Sequence, residues 1–425
     1  MILGQKLSFI QDSRLTLTAA SFPQQTIRVP IDRSWPLEEI LVTVQVTARN
    51  TTSIPASAFI FYSLLNLCRR ISLEVTDDKG PRTVVNATGP GLLQLVANEG
   101  FNLDRSTLNV IQQLNSGFVE ATGKYEITYR IPFVHPMVTG KLRPKMMLPV
   151  HLHPQDPVLV LDFAPATEIF SGISDPFTAA NVEVVLIRRD WPRELAKSVN
   201  DETGGQPINW FIKSDIMESI FTLAASLSNT EQRFPLALPG QYSGLLIHQL
   251  KGGTLGTLDD MSGSVAVGSE TRWTLESGGT AFRAWRMKQL QKLNDYSRCA
   301  FPIVPNTNIF TRATDGVQTT GTATITAKDI FMPGANIGGA LATGQGIQTP
   351  HSVFHDFISD GINDADELGS LLDCNIPALN GLKMEVVGNM TTPAGSTQSS
   401  SLQMVGRRFY GDLRAYQLTE KLKAA

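Results

Sequence analysis

A period of two governs the stretch 124–163 and limits what this chain can become. Tyr125, Ile127, Tyr129 and Ile131 alternate with Glu126, Thr128 and Arg130, the pattern of a strand with one buried face. A helix would need a period near 3.6 and does not fit. Pro132 and Pro136 carry no amide donor, so the ladder should stop there and the chain should turn across a sheet edge. Apolar character resumes at 147–153 and at 158–163. The run 351–388 has the same outline, with Val353, His355 and Phe357 ahead of an acidic loop and a second alternating run at 382–387. The spacing predicts one strand, loop and strand unit in each half of the chain.

Further strands are predicted at 25–30, 70–75, 181–188, 216–224, 243–250 and 401–418, and over 37–49, where Ile40, Val42, Val44 and Val46 share a face. Residues 59–68 read equally as buried strand or helix. Leu92, Leu93, Val96 and Ala97 fall at helical spacing and predict a short helix over 91–99, and Trp285, Leu290 and Leu293 predict an amphipathic one over 285–293. Residues 251–268 collect Gly, Ser, Thr and Asp and read as loop, as does the Gly, Thr and Ala-rich run 311–350. A polar segment at 190–206 connects the halves, and strands restart near 207. With 34 Gly and 24 Pro in 425 residues, turns are frequent and strands short. The class is mainly β, as two antiparallel sandwiches in tandem. The divisions expected are an arm 1–22, a first sandwich 23–190, a linker 191–206, a second sandwich 207–418 with long loops 251–279 and 311–350, and a tail 419–425.

Charge excludes some functions. Charged residues make up 18% and the formal net charge is −3, which is no electrostatic footprint for nucleic acid or an anionic membrane. The pairs Arg69-Arg70, Arg188-Arg189 and Arg407-Arg408 read as solvated strand ends. Cys68, Cys299 and Cys374 are far apart and odd in number, which points to a reducing compartment during folding. Residues 1–10 do not read as a signal peptide, and the apolar run 59–68 is too short to span a bilayer. The sequons at Asn50, Asn86 and Asn389 occur without a secretion signal and carry little weight.

The arrangement resembles the double jelly-roll major capsid proteins of the lineage that includes tectivirus-like phages and the adenovirus hexon. The likeness lies in 125–133 followed by 148–163, similar to the strand pair late in the first roll; in 182–212, similar to its closing strand, crossing linker and the start of the second; and in 383–416, similar to the final strands. The resemblance implies two eight-stranded jelly rolls and a homotrimer forming a pseudo-hexameric capsomer of an icosahedral virion shell, folded in the host cytoplasm. It implies neighbouring capsomers, penton and minor capsid proteins as partners, and outward towers at 251–279 and 311–350. Some relatives face an internal viral membrane through a long N-terminal amphipathic helix; residues 1–21 are too short and irregular for it, and a membrane partner stays open. Residues 190–206 and the helix at 285–293 are expected near the shell floor or between rolls.

The candidate chemistry points away from an enzyme. His151 and His153 would share one strand face, as at some jelly-roll metal sites, but Asp156 is the only nearby acid and a third histidine is missing, so they read as strand-end histidines. His351 and His355 lack the Glu of a zinc protease helix. Asp360, Asp364, Asp366 and Glu367 surround Gly361 without the alternating ligands of a calcium loop and read as a solvated acidic turn. Gly338, Gly339, Gly344 and Gly346 do not join a strand to a helix, so no phosphate cradle is expected. No catalytic set, metal site, cofactor or sequence-specific nucleic-acid contact is predicted. The rival is a carbohydrate-binding or carbohydrate-cleaving double sandwich, whose aromatic platform would be sought among Trp35, Trp191, Trp210, Trp273 and Trp285.

Overall fold

Where apolar and polar residues alternate, the chain runs extended. The computed structural model describes most of residues 26–189 and 212–251, together with strands at 7–11, 15–17, 254–255, 262–267, 270–276, 352–356, 372–373, 384–390 and 400–409. The first half carries β1 (Leu7–Gln11), β2 (Leu15–Leu17), β3 (Thr26–Pro30), β4 (Leu37–Ala48), β5 (Ile54–Pro55), β6 (Cys68–Asp77), β7 (Gly80–Ala87), the helix α1 (Gly89–Asn98), β8 (Phe118–Val119), β9 (Lys124–Pro132), β10 (Val158–Phe163) and β11 (Phe177–Arg189). The second carries β12 (Ser214–Leu223), β13 (Thr230–Pro235), β14 (Gln241–Lys251), β15 (Thr254–Leu255), β16 (Ser262–Val267), β17 (Glu270–Glu276), β18 (Ser352–Asp356), β19 (Leu372–Asp373), β20 (Met384–Met390) and β21 (Ser400–Phe409).

Both halves are wound by the same rule. In the first, β1 and β2 pair with β11, then β4, then β9, while a second layer runs β3, β10, β6, β7. In the second, β12, β21, β14 and β18 form one layer, and β13, β20, β16 and β17 the other. Take β1 and β2 as one interrupted strand and set aside the short β5, β8, β15 and β19. Among the described residues each half then has eight strands, ordered first, eighth, third, sixth in one layer and second, seventh, fourth, fifth in the other. The repeated unit expected from 124–163 and 351–388 corresponds to the sixth and seventh strands of each half: β9 with β10, and β18 with β20. The β4–β9 register ends at Glu39 opposite Pro132, where the missing donor should stop it.

Side chains sort to the two faces as the alternation requires. Ile40, Val42, Val44 and Val46 of β4 are buried while Leu41, Thr43, Gln45 and Thr47 are half-buried on the outer face. Opposite them, Ile71 and Leu73 of β6 and Leu159 and Leu161 of β10 complete the core. Burial of each such side chain contributes about 1.5–3 kcal/mol. A one-residue slip would turn the whole apolar set of a strand outward, so the pattern fixes the register as well as the face.

The two sandwiches join at one edge. Second-half β12 lies parallel to first-half β7, with Ile216 opposite Val85 and Met217 opposite Asn86, and ten of the described strands become one sheet. The core crosses this seam, because Ile216, Leu246 and Val405 belong to the same apolar cluster as the first-half residues. Helix α1 packs there against β6 and β9 on one side and β14 and β21 on the other. Leu92, Leu93, Leu95, Val96 and Ala97 are all buried, as an interior helix requires. Thr88 starts it by accepting from the Gly91 amide at 3.1 Å, and Pro90 suits the first turn.

Several expectations need correction. The arm 1–22 contains β1 and β2, which pair with β11, so it supplies the first strand of the first sandwich. The loop expected at 251–268, and the long loop 251–279, contain β16 and β17, a hairpin whose inner member pairs with β20 from Gly263 opposite Gly388 to Val267 opposite Met384. Small polar residues hid these strands because β-propensity depends on the neighbour supplied by distant sequence. Within 59–68, Ser63–Asn66 is a 3-10 turn leading into β6. The segments 190–206, 285–293, 311–350 and 419–425 lie outside the described residues.

Tyr129 ties the core to backbone: its hydroxyl donates to the Leu65 carbonyl at 2.9 Å and accepts from the Cys68 amide at 3.3 Å. Tyr129→Phe leaves both groups unpaired in the interior, and urea denaturation is expected to show a loss of about 1–3 kcal/mol.

Candidate functional site: the junction of the two sandwiches

Strand β21 places adjacent arginines on opposite faces of a central strand, and both are buried. Arg407 points into the seam. Its Nε and Nη2 donate to the two oxygens of Glu99 at 2.7 and 2.8 Å, and its Nη1 donates to the Pro132 carbonyl at 2.7 Å. Glu99 ends α1 and Pro132 ends β9, so one second-half guanidinium fastens two first-half elements. His135 Nε2 lies 4.0 Å from the same carboxylate. Arg408, on the other face, makes a two-point contact with Asp215, its direct cross-strand neighbour on β12, at 2.9 and 2.5 Å. The pairs were read in sequence as solvated strand ends. For Arg407 and Arg408 this is wrong, since both sit in the interior with matched carboxylates. Arg69 fits the reading, with an exposed side chain and Glu168 at 3.6 Å. For Arg188 and Arg189 the side chains are outside the description.

The opposite end of α1 is also held from the second half. Glu218 of β12 accepts from the Thr88 amide through Oε2, and its Oε1 lies 3.2 Å from the Thr88 hydroxyl. A side chain at position 91 would fill this cradle: a Cβ on Gly91 would stand 3.0 Å from Glu218 Oε1 and from Val405 Cγ2. Burial pushes the Glu218 carboxyl up to about 7, against the lowering effect of the Thr88 donors and Arg70. Second-half side chains therefore grip the helix at both ends.

The sequence-predicted site residues are placed differently. His151 and His153 do not share a strand face, because Val150–Leu152 is a 3-10 turn. Pro149 precedes that turn, and the chain there makes an isolated bridge between Leu148 and Leu37 instead of a ladder. His153 is buried with Nδ1 2.9 Å from the Thr76 carbonyl, and Asp156 pairs with Arg33 at 2.7 Å. Burial, with His153 adding to it, lowers His151 to about 4. His355 lies on β18 opposite Leu245, while His351, the acidic residues 360–367 and the glycines 338–346 lie outside the described residues. Among the described residues no group of three or more His, Cys, Asp or Glu is placed to hold a metal ion.

No protein-family model matches the chain, and no curated protein sequence does. Solved structures do. Over 95% of this chain and 90% of the other, the fold is similar to one in the atomic structure of Sulfolobus Turreted Icosahedral Virus, at 12% identity and a TM-score of 0.56. The STIV MCP matches over 95% and 96%, at 12% identity and 0.51, and the PBCV-1 virus capsid over 96% and 94%, at 8% identity and 0.53. The strand order of both halves agrees with that likeness.

The fold is a double jelly roll.

Within the double jelly roll, the junction residues were the ones that sequence reading missed. The signal present was the alternation of 401–409, which puts Arg407 on the same face as Val405 and Phe409. The missing signal was the partner, which lies 308 positions earlier. Arg407→Met strands the Glu99 charge between the rolls, and a loss of about 3–5 kcal/mol is expected by urea denaturation. The double variant Arg407→Met with Glu99→Met is expected to recover most of it, giving a large coupling energy in a double-mutant cycle.

Proposed function

We propose that this chain is a viral major capsid protein that self-assembles as homotrimers into pseudo-hexameric capsomers of an icosahedral shell. The observation that carries the reading is the end-to-end likeness to virus shell structures, over at least 95% of this chain and 90% of theirs, with both rolls matched together. Two rolls side by side give each subunit two lobes, so three copies about an axis supply six. Such a ring repeats one heterologous contact three times and closes.

The flank of the first roll suits that contact. On the outer face of β4 and β9, Thr43 pairs with Thr128 at 3.1 Å, Gln45 with Glu126 at 3.2 Å and Arg130 with Glu39 at 2.9 Å, leaving a half-buried polar surface whose groups are largely paired within the chain. Broad, partly wet interfaces accommodate polar surfaces of this kind. Neighbouring capsomers would meet in the same way, with penton and minor capsid proteins as further partners, and an internal membrane stays open. The reading assigns no catalytic step to the chain. It places the protein in the virion, with folding in the host cytoplasm. Cys68 agrees with that origin, being a free, buried thiol that burial pushes well above its ordinary range and so keeps unreactive. The five tryptophans of the carbohydrate reading lie outside the residues whose side chains are described, and no observation favours that reading.

Native mass spectrometry of the purified protein is expected to give three times the chain mass, and electron micrographs of concentrated samples to show hexagonal particles or shells. A monomer that binds on a glycan array would overturn the proposal. Deleting 321–340, which lies in one of the expected towers, is expected to leave the trimer intact.

A further inference from the structure

We propose that Glu218 and the N-terminus of α1 form a proton-operated latch between the two rolls, which grips in acid and loosens as the medium passes neutrality. The latch lies within one chain, so it stands or falls independently of trimer assembly.

Its geometry is that of a carboxyl group carried across a seam. Glu218 belongs to β12, the strand by which the second roll meets the first, and reaches Thr88, the residue that starts α1. Thr88 is held from both sides: its hydroxyl accepts from the Gly91 amide at 3.1 Å and meets Glu218 Oε1 at 3.2 Å. The cradle is closed by Gly91 and Val405.

Among the described residues, the charged side chain that acts on the carboxyl is itself engaged. From β6 comes Arg70, whose Nε donates to Asn86 Oδ1 of β7 at 2.6 Å. On β21, Val405 lies opposite Glu218, and the next charged side chain on that face is Arg407, whose fork is taken by Glu99. Helix α1 contributes no acidic or basic side chain, and its partner from β14 in the cluster is Leu246. An ionised Glu218 thus has two donors and the helix dipole in its favour, against the loss of much of its water in a half-buried position. A protonated Glu218 keeps the same contacts, because Oε1 can then donate to the Thr88 hydroxyl, and no charge is buried.

The sign follows from the direction of the shift. Burial raises the folded-state value from 4.5 to about 7, so folded protein holds a proton that unfolded chain releases. The stabilisation is complete below the unfolded value, declines as pH rises through the window between the two, and is gone above about 7. Over that window the folded-to-unfolded ratio changes on the order of 100-fold from this group. His151 works in the opposite direction: its folded-state value is lowered from 6.5 to about 4, so its share is lost as pH falls. Glu218 must therefore be isolated by difference.

The experiment compares the full-length protein with Glu218→Gln, whose amide is neutral at every pH and keeps a carbonyl acceptor for the Thr88 amide. Urea unfolding from pH 4.5 to 8 is expected to show wild type losing on the order of 100-fold more of its folded-to-unfolded ratio than the variant. Hydrogen exchange at the Thr88, Gly91 and Leu92 amides, corrected for its intrinsic base-catalysed rate, is expected to lose protection across neutrality in wild type alone. Parallel pH profiles for the two proteins would overturn the proposal. Should the variant fail to fold, the carboxyl carbon of Glu218 in labelled wild-type protein decides by NMR: a midpoint near 7 supports the latch, and one near the ordinary 4.5 rejects it.

Discussion

The structure depends on a buried guanidinium that meets a carboxylate from the other end of the chain. Removing two charges from water costs several kcal/mol for each ion, and only close, two-point geometry with further hydrogen bonds offsets it. Arg407 meets that condition with the Glu99 carboxylate and the Pro132 carbonyl. A pair this demanding is a poor source of raw stability compared with apolar packing. Its effect is selective: any other placement of β21 against α1 would leave a bare charge in the interior. The apolar cluster holds the two rolls together, and the ion pair decides how they sit.

Helix α1 is where these constraints meet. It occupies the connection between the fifth and sixth strands of the first roll and carries no charge of its own. Its termini have unpaired backbone groups, as every helix does, and buried termini must find partners. The partners come from both sides of the seam, with Thr88 and Glu218 at its start and the residue that ends it, Glu99, holding Arg407. A helix that cannot be solvated at either end thus becomes a dowel between two sandwiches, and its position leaves little freedom for one roll to turn on the other.

Most of the first roll was legible because its strands are long and strictly alternating. Val42 and Ile127 announce their faces within a few residues, and Pro132 announces where pairing stops. The repeat was legible too, through the matching outlines of 124–163 and 351–388. Other features were not. Strand β16 has the composition of a loop and exists because β20 and β17 flank it. The interrupted first strand was taken for an arm because Leu7–Gln11 and Leu15–Leu17 are short and acquire meaning only beside β11. Arg407 and Arg408 look like any exposed pair until partners from distant positions close over them. Local pattern specifies faces and periods; pairing across hundreds of residues specifies which charges go inside.

The edge pairing of β7 with β12 has a mechanical consequence. A continuous lattice of backbone hydrogen bonds runs from β3 through the seam to β14, so the two lobes form one plank rather than two beads on a string. Load applied at one side travels through amide bonds and a shared core, and bending is driven to the outer margins of the subunit. Curvature in anything built from such planks must come from the angles between neighbouring planks, with each plank itself staying stiff.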